Sequence, residues 1–256
     1  VALIELRRNT NNKFKFVFAG LHNVCRATNA KLKNGVFGQI GNPLCVKPLL
    51  PTDALHLILE PLRYLGFQVE RYPYLETILA NTNYYPGMIQ YFGKILVQEL
   101  LISNYRQYYK ADSNPPFKLE EHALYTAIAD QALIEKIKEM FRLSLVLDNK
   151  YYMLARLVTL LFHESQEKKT NRIGFSVDEI KHEAEEWEIF CLSKCEQTDY
   201  ENLLSEMVDM GILDVVDKEY RMRRSVFIDY IGPNKNDLFD ELINTNDAEM
   251  KKAGVK

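Results

Sequence analysis

Two helix-start signals and one hairpin pattern, packed into 56 residues of the second half of the chain, leave few folds open to it. Ser176-Val177-Asp178-Glu179 reads as a capping box, in which serine hydroxyl and glutamate carboxylate each take a backbone N–H that a helix start leaves unpaired. Phe175 and Ile180 stand at the positions of its hydrophobic staple, and the helix is expected to run to about Trp187 or beyond. Thr198-Asp199-Tyr200-Glu201 reads as a second capping box. Its helix carries Leu203, Leu204, Met207, Val208 and Met210 at helical spacing, and Gly211 stops it. Leu213–Val216 and Tyr220–Tyr230 then alternate like the two arms of a hairpin turning at Asp217-Lys218.

A helix over Lys150–Ser165, capped by Asp148, precedes these elements. Three helices followed by a two-stranded ribbon, across 150–231, is the order of a winged helix-turn-helix, and we expect such a domain over residues 117–232. Gly232-Pro233-Asn234 closes it, leaving residues 233–256 as a flexible tail with a short helix over Asp237–Ile243. On the other side, Ala111-Asp112-Ser113-Asn114-Pro115-Pro116 is polar and turn-forming and marks a boundary. Helices are expected after it at 119–129 and 130–145. Before it, Thr52 should cap a helix from Asp53 to Leu65 that Gly66 terminates, followed by helices over Tyr74–Thr82 and from Pro86 to about Tyr105. Residues 49–111 thus read as a small helical domain.

The beginning of the chain is of another kind. Phe14-Lys15-Phe16-Val17-Phe18-Ala19 is an apolar strand that runs into Gly20-Leu21-His22-Asn23, after Val1–Arg8 ending as a helix. A strand this apolar belongs inside a parallel sheet covered on both faces, yet the neighbouring strands are not in the sequence. A short helix over Asn23–Leu32, a loop over Phe37–Pro43 and a short strand Leu44-Cys45-Val46 complete residues 1–48, which read as part of a larger α/β core. The fold class expected is therefore mainly α with small β elements. Charge divides in a similar way: residues 1–110 carry 13 lysines and arginines against 6 acids, residues 111–256 carry 19 against 29. Such asymmetry suggests two units with different electrostatic neighbours.

An apolar strand ending in a polar loop, a short strand before Lys47-Pro48-Leu49, a helical domain and a winged helix, in that order, resembles the C-terminal two-thirds of AAA+-type ATPases. The likeness is nearest to the signal-transducing (STAND) and archaeal-type group, and it covers about residues 13–231. In that family the strand followed by a polar residue is the sensor-1 element, which orients water or the γ-phosphate. The resemblance implies that role for His22 and Asn23. The helical domain would be the lid, whose "GYP"-like turn opens a helix against the nucleotide. The matching stretch is Asn81-Thr82-Asn83-Tyr84-Tyr85-Pro86-Gly87-Met88-Ile89-Gln90, which makes Tyr85, Pro86 and Gly87 the candidate nucleotide contacts. The cofactor implied is ATP or ADP with Mg²⁺, held by the parent protein rather than tightly by this chain alone.

Two features depart from the family pattern. Gly87 and Met88 stand where many members carry a sensor-2 arginine, and the nearest downstream cation is Lys94. No G-x-x-x-x-G-K-[ST] is present; Gly87…Gly93-Lys94-Ile95 is too long by one residue and lacks the hydroxyl that binds Mg²⁺. The Walker B acidic pair is absent as well. The resemblance therefore implies a missing N-terminal ATPase half carrying both, with this chain as a cytoplasmic sensing portion that relays nucleotide state to a protein partner or to another copy.

A competing function is nucleic-acid binding by the winged helix. The presumed recognition helix carries Asp199, Glu201, Glu206 and Asp209 and no lysine or arginine, and the helix before it carries Glu183, Glu185, Glu186 and Glu188. Phosphates would repel both. Only Arg221, Arg223 and Arg224 in the ribbon suit backbone phosphates, and they could equally pair with the acidic helices. A purely scaffolding adaptor is the remaining alternative. Arg26, Lys31 and Lys33 offer an arginine-finger analogue or ordinary helix charges, and Tyr105, Tyr108 and Tyr109 a stacking platform or a core. The five histidines (His22, His56, His122, His163 and His182) are dispersed with no H-E-x-x-H, and Cys191 and Cys195 lack further ligands for a zinc site. Cys25 and Cys45 complete a set too small for a disulfide framework. No membrane span or signal peptide is apparent.

Overall fold

A computed structural model describes residues 2–11, 13–14, 46–69, 72–99, 115–119 and 121–254. The chain divides into two compact units, Val1–Val46 and Lys47–Lys256. In the first, helix α1 (Ala2–Asn9) ends at Thr10, whose hydroxyl donates to the Leu6 carbonyl at 2.7 Å. His22, Asn23, Arg26, Lys31, Lys33, Cys25 and Cys45, with the elements expected over 15–45, lie outside the described residues. So do Tyr105, Tyr108 and Tyr109.

The second unit is mainly helical, with two small strand pairs among the described residues. Helix α2 (Pro51–Tyr64) starts earlier than the sequence suggests, because Pro51 takes the first helical position, where its missing N–H costs nothing. Thr52 is thus inside the helix rather than its cap. Gly66, at φ +84°, turns the chain out of α2 into β1 (Phe67–Gln68), which pairs in parallel with β2 (Phe117–Lys118). These two-residue strands are too short to leave a periodicity. Helices α3 (Tyr72–Thr82), α4 (Pro86–Glu99), α5 (Glu121–Ile128) and α6 (Gln131–Val146) follow.

Two apolar cores share this unit. The first is built from α2–α5 and the start of α6, with Ile58, Leu75, Ile89, Phe92 and Leu124 buried. The second begins at Phe141 and Leu145 on the same helix α6. The 111–116 boundary is consequently not where the cores part: Leu119, Leu124, Leu133 and Ile137 pack into the first core, and one continuous 16-residue helix carries both.

Helix α7 (Asn149–Glu167) runs through the second core and buries every residue from Met153 to Leu160, Arg156 and Thr159 among them. Asp148 caps it, accepting from Lys150 N–H at 2.9 Å. Around it stand α8 (Val177–Glu186), a 3₁₀ turn (Phe190–Leu192), α9 (Gln197–Asp209), and strands β3 (Leu213–Val216) and β4 (Glu219–Met222). The Ser176 capping box is present, with Phe175 and Ile180 both buried. The second box is shifted two residues: the Asp199 carboxylate accepts from Glu196 N–H at 2.9 Å, and α9 begins at Gln197. Cys191 lies in the 3₁₀ turn and Cys195 in the loop after it.

The hairpin turns at Asp217 and Lys218, both in the left-handed region, but its second arm stops at Met222. Residues Ser225–Ile231 form helix α10 instead of continuing the strand, because Phe227, Ile228 and Ile231 recur at helical rather than alternate spacing and bury together. The expected flexible tail is also corrected. Helix α11 (Lys235–Lys252) buries Leu238 and Leu242 in the second core. Its Asn246 accepts from Phe190 N–H at 2.8 Å and donates to the Glu188 carbonyl at 3.1 Å. No helix among the described residues is long and apolar enough to cross a membrane.

Candidate functional site

The candidate residues at the start of α4 and those after β4, 136 positions apart for Pro86 and Met222, are brought together. Helix α3 ends in Asn83 and Tyr84, two successive non-glycine residues in the left-handed region (φ 48° and 60°). Asparagine tolerates that conformation better than most residues. Tyr85 then leads into Pro86 at the first turn of α4, its carbonyl accepting from Met88 and Ile89 N–H at 3.0 Å. Pro86 and Gly87 are exposed, and nothing lies within 4 Å of a Cβ built on Gly87. The turn therefore has a solvent side, Pro86-Gly87, and an inner side, Asn83–Tyr85.

The inner side meets the end of α9. Asn83 donates through Nδ2 to the Gly211 carbonyl at 2.9 Å, and the Tyr85 hydroxyl donates to the Met210 carbonyl. Burial raises the Tyr85 phenol above its ordinary value, against a smaller opposing effect of Arg223, so it stays a donor at neutral pH. Gly211 is required for two reasons: its φ is +70°, and a Cβ there would lie 2.8 Å from Pro48 Cγ and 3.1 Å from Arg223 Nη1. The backbone closes the same node, Leu49 N–H donating to the Tyr84 carbonyl at 3.0 Å. Beside it, Lys47 pairs with Asp209 at 2.6 Å.

The basic run lies at the base of the hairpin rather than at its tip. Arg221 pairs with Asp214 across the ladder at 3.2 Å. Arg223 donates its backbone N–H to the Ile212 carbonyl at 3.0 Å. The guanidinium groups of Arg223 and Arg224 lie over the Tyr84 ring, 5.9 and 5.1 Å from its centroid, within cation–π range. Two buried atoms at the node, Asn83 Oδ1 and Arg224 Nε, have no hydrogen-bond partner. A cavity of about 40 Å³ beside it is lined by Asn83, Tyr85, Met140, Gly211 and Phe227. That is room for a water-sized occupant and far too little for a nucleotide.

The acidic helices are mostly occupied internally. Glu206 is buried and accepts from the Tyr151 hydroxyl, and the Trp187 indole donates to Glu183 at 2.7 Å. Burial raises the Glu183 carboxyl above its ordinary value. Among the described residues no group of three or more His, Cys, Asp or Glu side chains is placed to hold a metal. Burial, reinforced by Glu249, pushes the Cys191 thiol up to about 12, so it is not a thiolate nucleophile at neutral pH.

Sequence reasoning named Tyr85, Pro86, Gly87 and the three arginines as candidates but not Asn83, Tyr84 and Gly211 as the residues that join the two segments. The one available signal was an asparagine at a helix end before Tyr-Tyr-Pro, the position at which a left-handed residue is expected. Gly211 reads only as a helix stop, and its close approach to Pro48 has no local signature. No protein-family model, curated protein or solved structure matches the chain.

Proposed function

We propose that this chain is the sensing and relaying portion of a nucleotide-controlled switch of the AAA+/STAND kind, with residues 49–111 as lid and a winged helix built on α7–α9 and the β3–β4 hairpin. The observation that carries the reading is the node at Gly211. The turn that opens α4, where the resemblance puts nucleotide, is bonded on its inner side to the end of α9 and the base of the hairpin. A displacement of Pro86-Gly87 by nucleotide would pull on Asn83–Tyr85 and hence on Met210–Gly211 and on Arg223 and Arg224. Coupling of this type travels through packed and hydrogen-bonded elements that possess two arrangements. The turn holds Asn83 and Tyr84 in a left-handed backbone with one buried acceptor unpaired, the kind of stored strain that clusters at switch regions.

In this reading the phosphate-binding and Mg²⁺-binding groups come from the ATPase half that carries the P-loop, with His22 and Asn23 as its sensor. This chain by itself does not turn over ATP. Duplex DNA is a poorer candidate partner than protein, because Arg221, Arg223 and Arg224 are engaged by Asp214 and Tyr84 and α9 presents acids. The test is a steady-state ATPase assay on the chain with Mg²⁺, run beside a duplex DNA titration at two salt concentrations. The reading predicts neither hydrolysis nor a steeply salt-dependent isotherm. Hydrolysis by this chain would sink the mechanism, and DNA binding abolished by R221A/R223A/R224A would replace it with the nucleic-acid reading.

A further inference from the structure

A second feature centres on a buried arginine of α7. Arg156 stands one turn after Tyr152, and its side chain is only 4% exposed. A buried cation is tolerated when its donors are paired, yet only one of its three nitrogens is. Nη2 donates to the Tyr152 hydroxyl and to Glu241 on α11, while Nε and Nη1 are buried without a hydrogen-bond partner. The guanidinium lies over the Tyr152 ring, 3.5 Å from its centroid.

Arg156 lines an open cleft of about 440 Å³, with Arg142 of α6 and Tyr230 of α10 among its walls. That volume suits a small organic ligand. The acids of α6 that also line it are already neutralised: Glu135 pairs with Lys138 at 3.2 Å and Glu139 with Lys136 at 2.9 Å. Arg142 makes no ion pair within 4 Å among the described residues. Glu241, the one acid on Arg156, has a side chain 55% exposed and engages a single guanidinium nitrogen.

We propose that this cleft is a phosphate-binding site, with Arg142 at the rim and Arg156 at the floor, and that Glu241 holds the place of the phosphate in its absence. A guanidinium matches two oxygens of one phosphate at once, so the incoming group engages a donor that Glu241 leaves unpaired. With Glu241 swung out, the two arginines present two positive charges to a dianion. The tyrosine walls leave room for an organic substituent, so the phosphate is either the free ion or the end of a phosphate ester. Because Glu241 belongs to α11, occupancy also loosens the ionic tie between α7 and the C-terminal helix.

Thermal melting of the full chain tests this, in sodium phosphate and in sodium chloride of matched ionic strength, since a ligand that binds only the folded state raises the melting temperature saturably. Wild type should show a saturable rise in phosphate. R142A, an exposed rim substitution, should melt as wild type in chloride and lose the rise. E241Q should reach half-saturation at lower phosphate concentration, its competitor being neutralised. Phenyl phosphate titrated in the same way separates the sources: half-saturation below that of phosphate assigns an ester, and equal values assign the free ion. No saturable rise in wild type, or a rise that R142A retains, overturns the site.

Discussion

Gly211 shows how much a single position can be asked to do. It ends α9, adopts a left-handed backbone, and lets Pro48, Asn83 and Arg223 approach within contact distance of where a Cβ would stand. G211A should therefore cost about 1–3 kcal/mol through backbone strain; the cost will appear as a lower urea midpoint at unchanged slope. A second residue-level expectation concerns Glu179. The Arg172 guanidinium, donating at 2.5 Å, holds its carboxyl down to about 2 from the ordinary 4.5, with help from Ser176. A depressed carboxyl stabilises the fold fully above pH 4.5, and that contribution is lost as pH falls from 4.5 towards 2. The pair is partly exposed, so its worth is about 1 kcal/mol or less. E179Q should be less stable than wild type by that amount at pH 7, and in urea titrations the difference should shrink below pH 4.5 and vanish only once pH has fallen below about 2.

At the scale of elements, helix α11 carries the clearest expectation. Leu238 is fully buried and meets Gly232, where a built Cβ would fall 2.4 Å from its Cγ. L238A should cost about 2–5 kcal/mol, the usual range for a leucine deleted from a packed core, measured by chemical denaturation. That helix was legible in the sequence only as a short segment, because its outer half, Thr245 to Lys252, is mostly polar and is anchored by long-range polar contacts of Asn246 and Glu249. Elements whose starts are written in side-chain chemistry were readable: Asp148 before α7 and Ser176 before α8 cap as expected. Elements decided by tertiary partners were not. The hairpin's second arm gives way to α10 because Phe227, Ile228 and Ile231 find the second core, and β1 finds β2 across 48 intervening positions. The candidate site divided in the same way, since its residue types are visible locally whereas their meeting at Met210–Gly211 is a fact of packing.

For the whole molecule, the account rests on one mechanical statement: the turn before α4 and the hairpin base after β4 move as a coupled pair. Both cores share α6, but the polar link between the α3–α4 turn and the α9–hairpin region is the Asn83–Tyr85 node, braced by the cation–π contacts of Tyr84. Removing the Tyr84 ring takes away the surface on which Arg223 and Arg224 lie, together with a partly buried contact on the edge of the first core. Native-state hydrogen exchange on Y84A against wild type reads the consequence amide by amide. The account predicts faster exchange at 83–89 together with faster exchange at 210–224, while α8 (Val177–Glu186) keeps its wild-type protection. Acceleration confined to 83–89, with 210–224 unchanged, would contradict it.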